Sequence, residues 1–251
     1  MRSRPAPLTL KDPALMSSDP APCPSALIVA HGSPSEPQQQ EDALAALAAR
    51  VADHMPGWQI SSATLACKDR FDEETARLGA PLIFPFFMAE GYFTRRVLAT
   101  KAKALGLTMR APFGVIPALE DVAETTLRAH IARNGWQIAE TALLVAAHGS
   151  AVSTTSRNSA LNFADRMQAR CGFRRVATGF VEEPPFLADA ARDLGPHSLC
   201  LTHFALRSGH VQEDLPEAFA TAGFTGTILP PMIEWPETPR LIADALTCEQ
   251  G

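Results

Sequence analysis

Short unbroken apolar runs alternate along the chain with longer segments in which apolar residues recur every three or four positions. Runs of the first kind predict strands buried on both faces, and segments of the second kind predict amphipathic helices packed over them. In order, the pattern predicts a strand at 26–30, a Pro-punctuated loop at 32–40, a helix over 42–55, a strand at 58–66 and a short helix at 71–78. A strand at 81–88, a basic helix over 92–105, a strand near 114–116 and a helix over about 119–133 complete the first half. From Thr141 the series restarts, with strands at 142–147, 175–181, 198–206 and 226–231 and helices over about 155–170, 185–194, 210–221 and 237–247. Strands and helices alternating at this pace imply right-handed βαβ units around a parallel sheet.

The restart is a repeat. The run ending Val29-Ala-His-Gly-Ser33 returns as Ala146-Ala-His-Gly-Ser150. Offsets between the copies stay near constant, at 117 for His31 and His148, 115 for Phe71 and Phe186, and 118 for Gly91 and Gly209. Two copies are too few for a solenoid, so the pattern predicts a duplicated α/β unit. The expected division is a flexible leader at 1–25, a first domain at 26–138 and a second at 139–251, with a cleft between the two units. The leader is rich in Pro and Ser and has no apolar core of the kind a signal peptide carries.

Composition narrows the function. A length of 251 residues, 46% hydrophobic and 20% charged, is that of a folded globular chain. A formal net charge of −5 argues against nucleic acid as a partner. No apolar run approaches the roughly 18 residues that span a bilayer, so no membrane segment is expected. The five cysteines (Cys23, Cys67, Cys171, Cys200 and Cys248) are scattered without a C-x-x-C pair. They read as reduced thiols in a cytoplasm, not as a disulfide framework or a structural zinc site.

Ligands of an open parallel sheet bind outside the carboxyl ends of its strands. In the second half those ends carry His148, then Glu182 and Glu183, then His210. Each of these alone also suits a turn or a helix end; together, two imidazoles and a carboxylate can hold a borderline divalent metal ion and take up protons near neutral pH. Aligned by the offsets, Cys67 is expected opposite Glu182, Lys68 opposite Glu183 and Tyr92 opposite His210, so only His31 keeps its counterpart. The second half is therefore the expected working half, with His31 a retained turn residue. His203, inside an apolar strand, is expected to be a satisfied core or sheet-edge histidine. Arg95, Arg96, Arg157 and Arg207 flank the predicted strand ends, where they could meet an anionic ligand. No Gly-rich nucleotide fingerprint is present.

The paired His-Gly-Ser strands, the Gly179-Phe-Val-Glu182 segment and Ser208-Gly-His-Val-Gln-Glu-Asp-Leu-Pro216 resemble the CbiX/SirB family of class II chelatases. Phe86-Phe-Met-Ala-Glu-Gly-Tyr-Phe-Thr-Arg95 looks like a variant of the last motif in the other copy. The likeness covers residues 26 to about 247 and is similar to the long, two-repeat members of the family. It implies insertion of cobalt or ferrous iron into sirohydrochlorin, a lyase-class reaction on the route to cobalamin or sirohaem, with no organic cofactor. It also implies an anionic tetrapyrrole as partner and a cytoplasmic monomer or homodimer. Two histidines and a glutamate of the family carry over to His148, His210 and Glu182, as metal-binding and catalytic groups. The first copy departs at two of these three positions, which leaves a tetrapyrrole or metal carrier without turnover as the alternative.

Overall fold

A strand with no polar face has nothing to turn toward water, so each apolar run must be covered on both sides. The fold meets this demand with two parallel sheets and a shared layer of helices. The computed structural model describes residues 23–150 and 153–248; nearly all of the expected leader lies outside the described residues. The first half runs β1 (Ser25–Ala30), α1 (Pro37–Ala52), β2 (Gln59–Thr64), α2 (Arg70–Leu78) and β3 (Leu82–Pro85). A π-helical turn, Phe93–Leu98, then passes into α3 (Ala99–Ala104), and α4 (Pro117–Arg133) follows. The second half repeats the series as β4 (Ala142–Ala147), α5 (Thr154–Cys171), β5 (Arg175–Phe180), α6 (Leu187–Ala191) and β6 (Ser198–Thr202). Its own π-helical turn, His210–Asp214, leads into α7 (Leu215–Ala222), β7 (Thr227–Ile228) and α8 (Thr238–Thr247).

The sheet orders are β2-β1-β3 and β5-β4-β6-β7, every pairing parallel. In both, the first strand is central and its neighbours lie on either side, so the chain reverses its direction of winding beside β1 and β4. That reversal opens a crevice at their carboxyl ends. The α/β class and the two helix-flanked parallel sheets agree with the pattern read from the sequence.

Alternation along the central strands decides which core each side chain joins. Leu27 and Val29 pack with Phe71, Ile83 and Leu98 on the outer face of the first sheet. Leu144 and Ala146 pack with Leu187, Phe204 and Phe219 on the outer face of the second. The opposite faces, Ala26, Ile28 and Ala30 in one half and Leu143 and Val145 in the other, belong to one continuous core built around α1, α4, α5 and α8. Phe84, Phe86, Phe113 and Phe163 are fully buried in it, each contributing about 2 kcal/mol by leaving water. The closing helix of each half packs on the opening helix of the other, α8 on α1 and α4 on α5. Arg50 and Arg110 of the first half donate to the carbonyls of Ile233 and Leu246 in the second, at 2.7 and 2.9 Å.

The strands expected at 81–88 and 198–206 are shorter, Leu82–Pro85 and Ser198–Thr202, and two others nearly disappear. The stretch near 114–116 is a 3₁₀ turn, Phe113–Val115, flanked by Pro112 and Pro117, which have no N–H for a ladder. Gly114 there lies so close to the Met88 carbonyl that an added Cβ would sit 2.1 Å from its oxygen. The strand expected at 226–231 is only Thr227–Ile228, because Pro230 and Pro231 cut it off. The π-helical turns recur at matching places in both halves. Pro216 follows the second but Ala99 takes the corresponding position after the first, so a missing proline N–H is not what makes them.

Candidate active site

β4 ends at Ala147, and the next residue, His148, is thrown onto the exposed edge of the sheet. Gly149 makes the turn at φ +73°, where a side chain is strained, and a Cβ there would lie 2.9 Å from Cγ of Glu183. The backbone N–H of Glu182 donates to the His148 carbonyl at 3.0 Å, so the register of β5 on β4 carries Glu182 to the side of the histidine. His210 opens the π-helical turn after β6, and its ring meets that of His148 edge-on, with centroids 4.5 Å apart and planes at 88°. The result is a cluster in which one ligand atom from each of His148, Glu182 and His210 lies within 4.8 Å of the others.

Hydrogen bonds orient both imidazoles. Nδ1 of His148 lies 3.0 Å from the Gly149 carbonyl, and Nδ1 of His210 lies 2.5 Å from Oδ2 of Asp214. A carbonyl and a carboxylate accept and do not donate, which assigns the proton to Nδ1 in each neutral ring and leaves the Nε2 lone pair free for a cation. Glu183 is used differently. Its Oε1 accepts from the Ser150 N–H at 2.9 Å and its Oε2 from Arg157 at 3.1 Å, so it fastens the turn while Glu182 joins the cluster.

The first half shows what the same positions have become. The Ala66 N–H donates to the His31 carbonyl, as the Glu182 N–H does to His148, and Phe93 opens the π-helical turn as His210 does. Ala66 and Phe93, not Cys67 and Tyr92, are therefore the counterparts of Glu182 and His210. The motif-based offsets slipped by one residue because the loops between the elements differ in length while the strand registers do not. The Phe93 ring lies on His31 with centroids 3.9 Å apart. Burial first, and then repulsion between the two imidazolium forms of His31 and His148, hold the pKa of His31 below the usual imidazole value.

Both halves line one cleft of about 710 Å³, which includes His31, Phe93, His148 and His210, with Glu182 beside it. That volume suits a sizeable organic ligand. None of the four arginines expected to meet an anion lines it. Arg95 pairs with Glu90, Arg157 with Glu183 and Arg207 with Glu234; Arg96 is in no ion pair among the described residues. Hydroxyls line it instead, among them Ser33, Ser150, Ser208 and, at the start of α5, Ser153 and Thr155. His203 lines the cleft one residue past β6 and is buried against Phe163, but its Nε2 is not satisfied as expected, having no hydrogen-bond partner among the described residues, and desolvation pushes its pKa down to about 4. Asp214 was missed by sequence reasoning although its spacing of four from His210 on a helix was readable.

Residues 142–229, from β4 to β7, match the sequence model of the CbiX family. A solved structure described as CbiX, the terminal enzyme for biosynthesis of siroheme in denitrifying bacteria, is 39% identical with a TM-score of 0.80, over 88% of this chain and 97% of its own. The multi-domain protein DR2241 of Deinococcus radiodurans, described as structurally similar to chelatases, is 19% identical with a TM-score of 0.67, over 90% of this chain and 55% of its own. SirB from Bacillus subtilis, solved with Fe3+, is 15% identical with a TM-score of 0.64, over 88% and 93%. At these lower identities the likeness is one of fold. No curated protein matches the sequence significantly.

Proposed function

The chain belongs to the CbiX family of chelatases, enzymes that insert a metal ion into a tetrapyrrole, and from that premise we propose that it inserts ferrous iron or cobalt into sirohydrochlorin. The observation that carries this reading is the convergence of His148, Glu182 and His210, with ligand atoms within 4.8 Å of one another, at a cleft wide enough for a macrocycle. Three protein donors leave coordination positions open, so an incoming ion is held without being sealed from its acceptor. The relative that shares 39% identity is described as acting in sirohaem biosynthesis, and sirohaem is an iron macrocycle, which favours ferrous iron.

In this reading the divalent ion is a substrate, bound by the Nε2 atoms of His148 and His210 and balanced by the Glu182 carboxylate. Insertion releases two protons from the pyrrole nitrogens. As the ion passes to the ring nitrogens, the two imidazoles that held it regain free lone pairs and accept those protons. The rim carboxylates of the macrocycle are met by the hydroxyls of the cleft and by the N-terminus of α5, capped by Ser153, not by arginines. No organic cofactor has a part in this scheme. Among the described residues no helix is long and apolar enough to cross a membrane.

Anaerobic incubation with sirohydrochlorin and each metal in turn, followed by the visible spectrum, tests the proposal. Conversion of the free-base spectrum to that of a metal complex, fastest with Fe2+ or Co2+, is expected. Tight macrocycle binding with no conversion by any metal would instead identify a carrier.

A further inference from the structure

Phe93 and His210 begin the same π-helical turn in the two halves, and each ring lies against the histidine that follows the central strand. A phenyl ring has no lone pair, so the His31 and Phe93 pair cannot hold an ion as His148 and His210 can. What it presents is flat apolar surface. Tyr92 is 66% exposed and Phe93 37%, their rings edge to face with centroids 5.6 Å apart. Of the exposed large hydrophobic residues among those described, these two alone line the cleft. Adjacent aromatic rings left open to water inside a concavity mark a surface that a ligand covers.

We propose that the lapsed metal site of the first half has become the platform on which the tetrapyrrole lies, with Phe93 (backed by His31) and Tyr92 packed on the face of the macrocycle while the second half presents the ion. The inference rests on the functional reading above. A tetrapyrrole of this class is charged at its rim but apolar and flat across its middle, which matches aromatic side chains in the cleft wall with hydroxyls around them. Replacing the second imidazole by phenyl also leaves a single cluster to load, so the ion is not divided between two sites.

The test measures binding of metal-free sirohydrochlorin, and of uroporphyrin III as a second flat anionic macrocycle, by absorbance and fluorescence titration. Tyr92→Leu and Phe93→Leu keep apolar volume but remove the flat ring, and Tyr92 is too exposed for its loss to unfold the protein. Each change is expected to raise Kd on the order of tenfold, and the double variant further. KM for insertion should rise in step, while kcat at saturation and Co2+ affinity without macrocycle stay near wild type. Tyr92→Phe and Phe93→Tyr should restore binding. A double variant that binds the macrocycle as tightly as wild type overturns the platform and leaves the functional reading standing. A parallel loss of Co2+ affinity also overturns it, since Phe93 would then be shaping the metal cluster. A wild type that binds neither macrocycle overturns both.

Discussion

Asp214 accepts a hydrogen bond from Nδ1 of His210 across 2.5 Å, one helical turn further along the chain. The contact fixes the ring plane and the tautomer together and leaves the lone pair on Nε2, in a ring that lies edge-on to His148. Asp214→Ala is expected to lower Co2+ affinity and kcat/KM about ten- to a hundredfold, in line with the loss of other carboxylate partners of metal-binding histidines. Asp214→Asn, which keeps an oxygen acceptor, should recover part of both. Because Asp214 is 44% exposed, circular dichroism and melting temperature should not change, which separates positioning from folding.

The two strand-end histidines should behave unequally. His148→Ala and His210→Ala each remove a donor and a proton acceptor, and each should cut insertion by about a hundredfold or more. His31→Ala leaves the cluster whole and removes only the backing of Phe93, so a change of a few fold is expected. Steady-state insertion rates at saturating metal decide the matter. Equal damage from His31→Ala would place the working site in the first half.

His203 gives a stability prediction with a sign. Burial lowers its folded pKa to about 4 from an ordinary value of 6.5. Between these values the unfolded chain binds a proton that the folded chain does not, so stability is full above about pH 6.5 and falls as the pH drops toward 4. The loss attributable to this one buried imidazole is about 3 kcal/mol. Its Nε2 has no hydrogen-bond partner among the described residues, so His203→Phe should cost little at pH 7.5, where it replaces an unsatisfied polar atom by an apolar one. Denaturant titrations at pH 7.5 and 4.5 should show a smaller acid penalty in the variant than in wild type.

Cutting the chain between 138 and 139 tests whether the proposed two-unit division is also a division of stability. Residues 139–251 alone would bare Phe163, Met167, Leu241, Ile242 and Leu246, all buried in the core shared with the first half. The expected outcome is a fragment that aggregates or self-associates on size-exclusion chromatography and becomes monodisperse when residues 23–138 are supplied. A monomeric fragment with a cooperative unfolding transition would show that each half holds its own core.

Much of this molecule was readable before any coordinates. Apolar runs too short for helices and lacking a polar face, such as Ala142–Ala147, specify buried parallel strands. The repeated His-Gly-Ser turns mark the carboxyl edge where ligands bind, because a glycine at positive φ, +77° at Gly32 and +73° at Gly149, is what lets the chain turn sharply there. His148, Glu182 and His210 could be proposed together on those grounds. Misread were the places where prolines override an apolar pattern, near 114–116 and after Ile228, and the counterparts of the site in the first half.

Sequence alone determined the layers, the duplication and the residue types at the strand ends, since burial periodicity and turn chemistry are local properties. Tertiary structure decided how the copies meet: their closing helices cross over to share one core, and Phe93, not Tyr92, lies on His31. It also decided which of two adjacent glutamates joins the cluster, because Glu183 is already bound to the Ser150 N–H and Arg157. Such choices depend on distances between segments far apart in the chain, and periodicity along the chain carries no information about them.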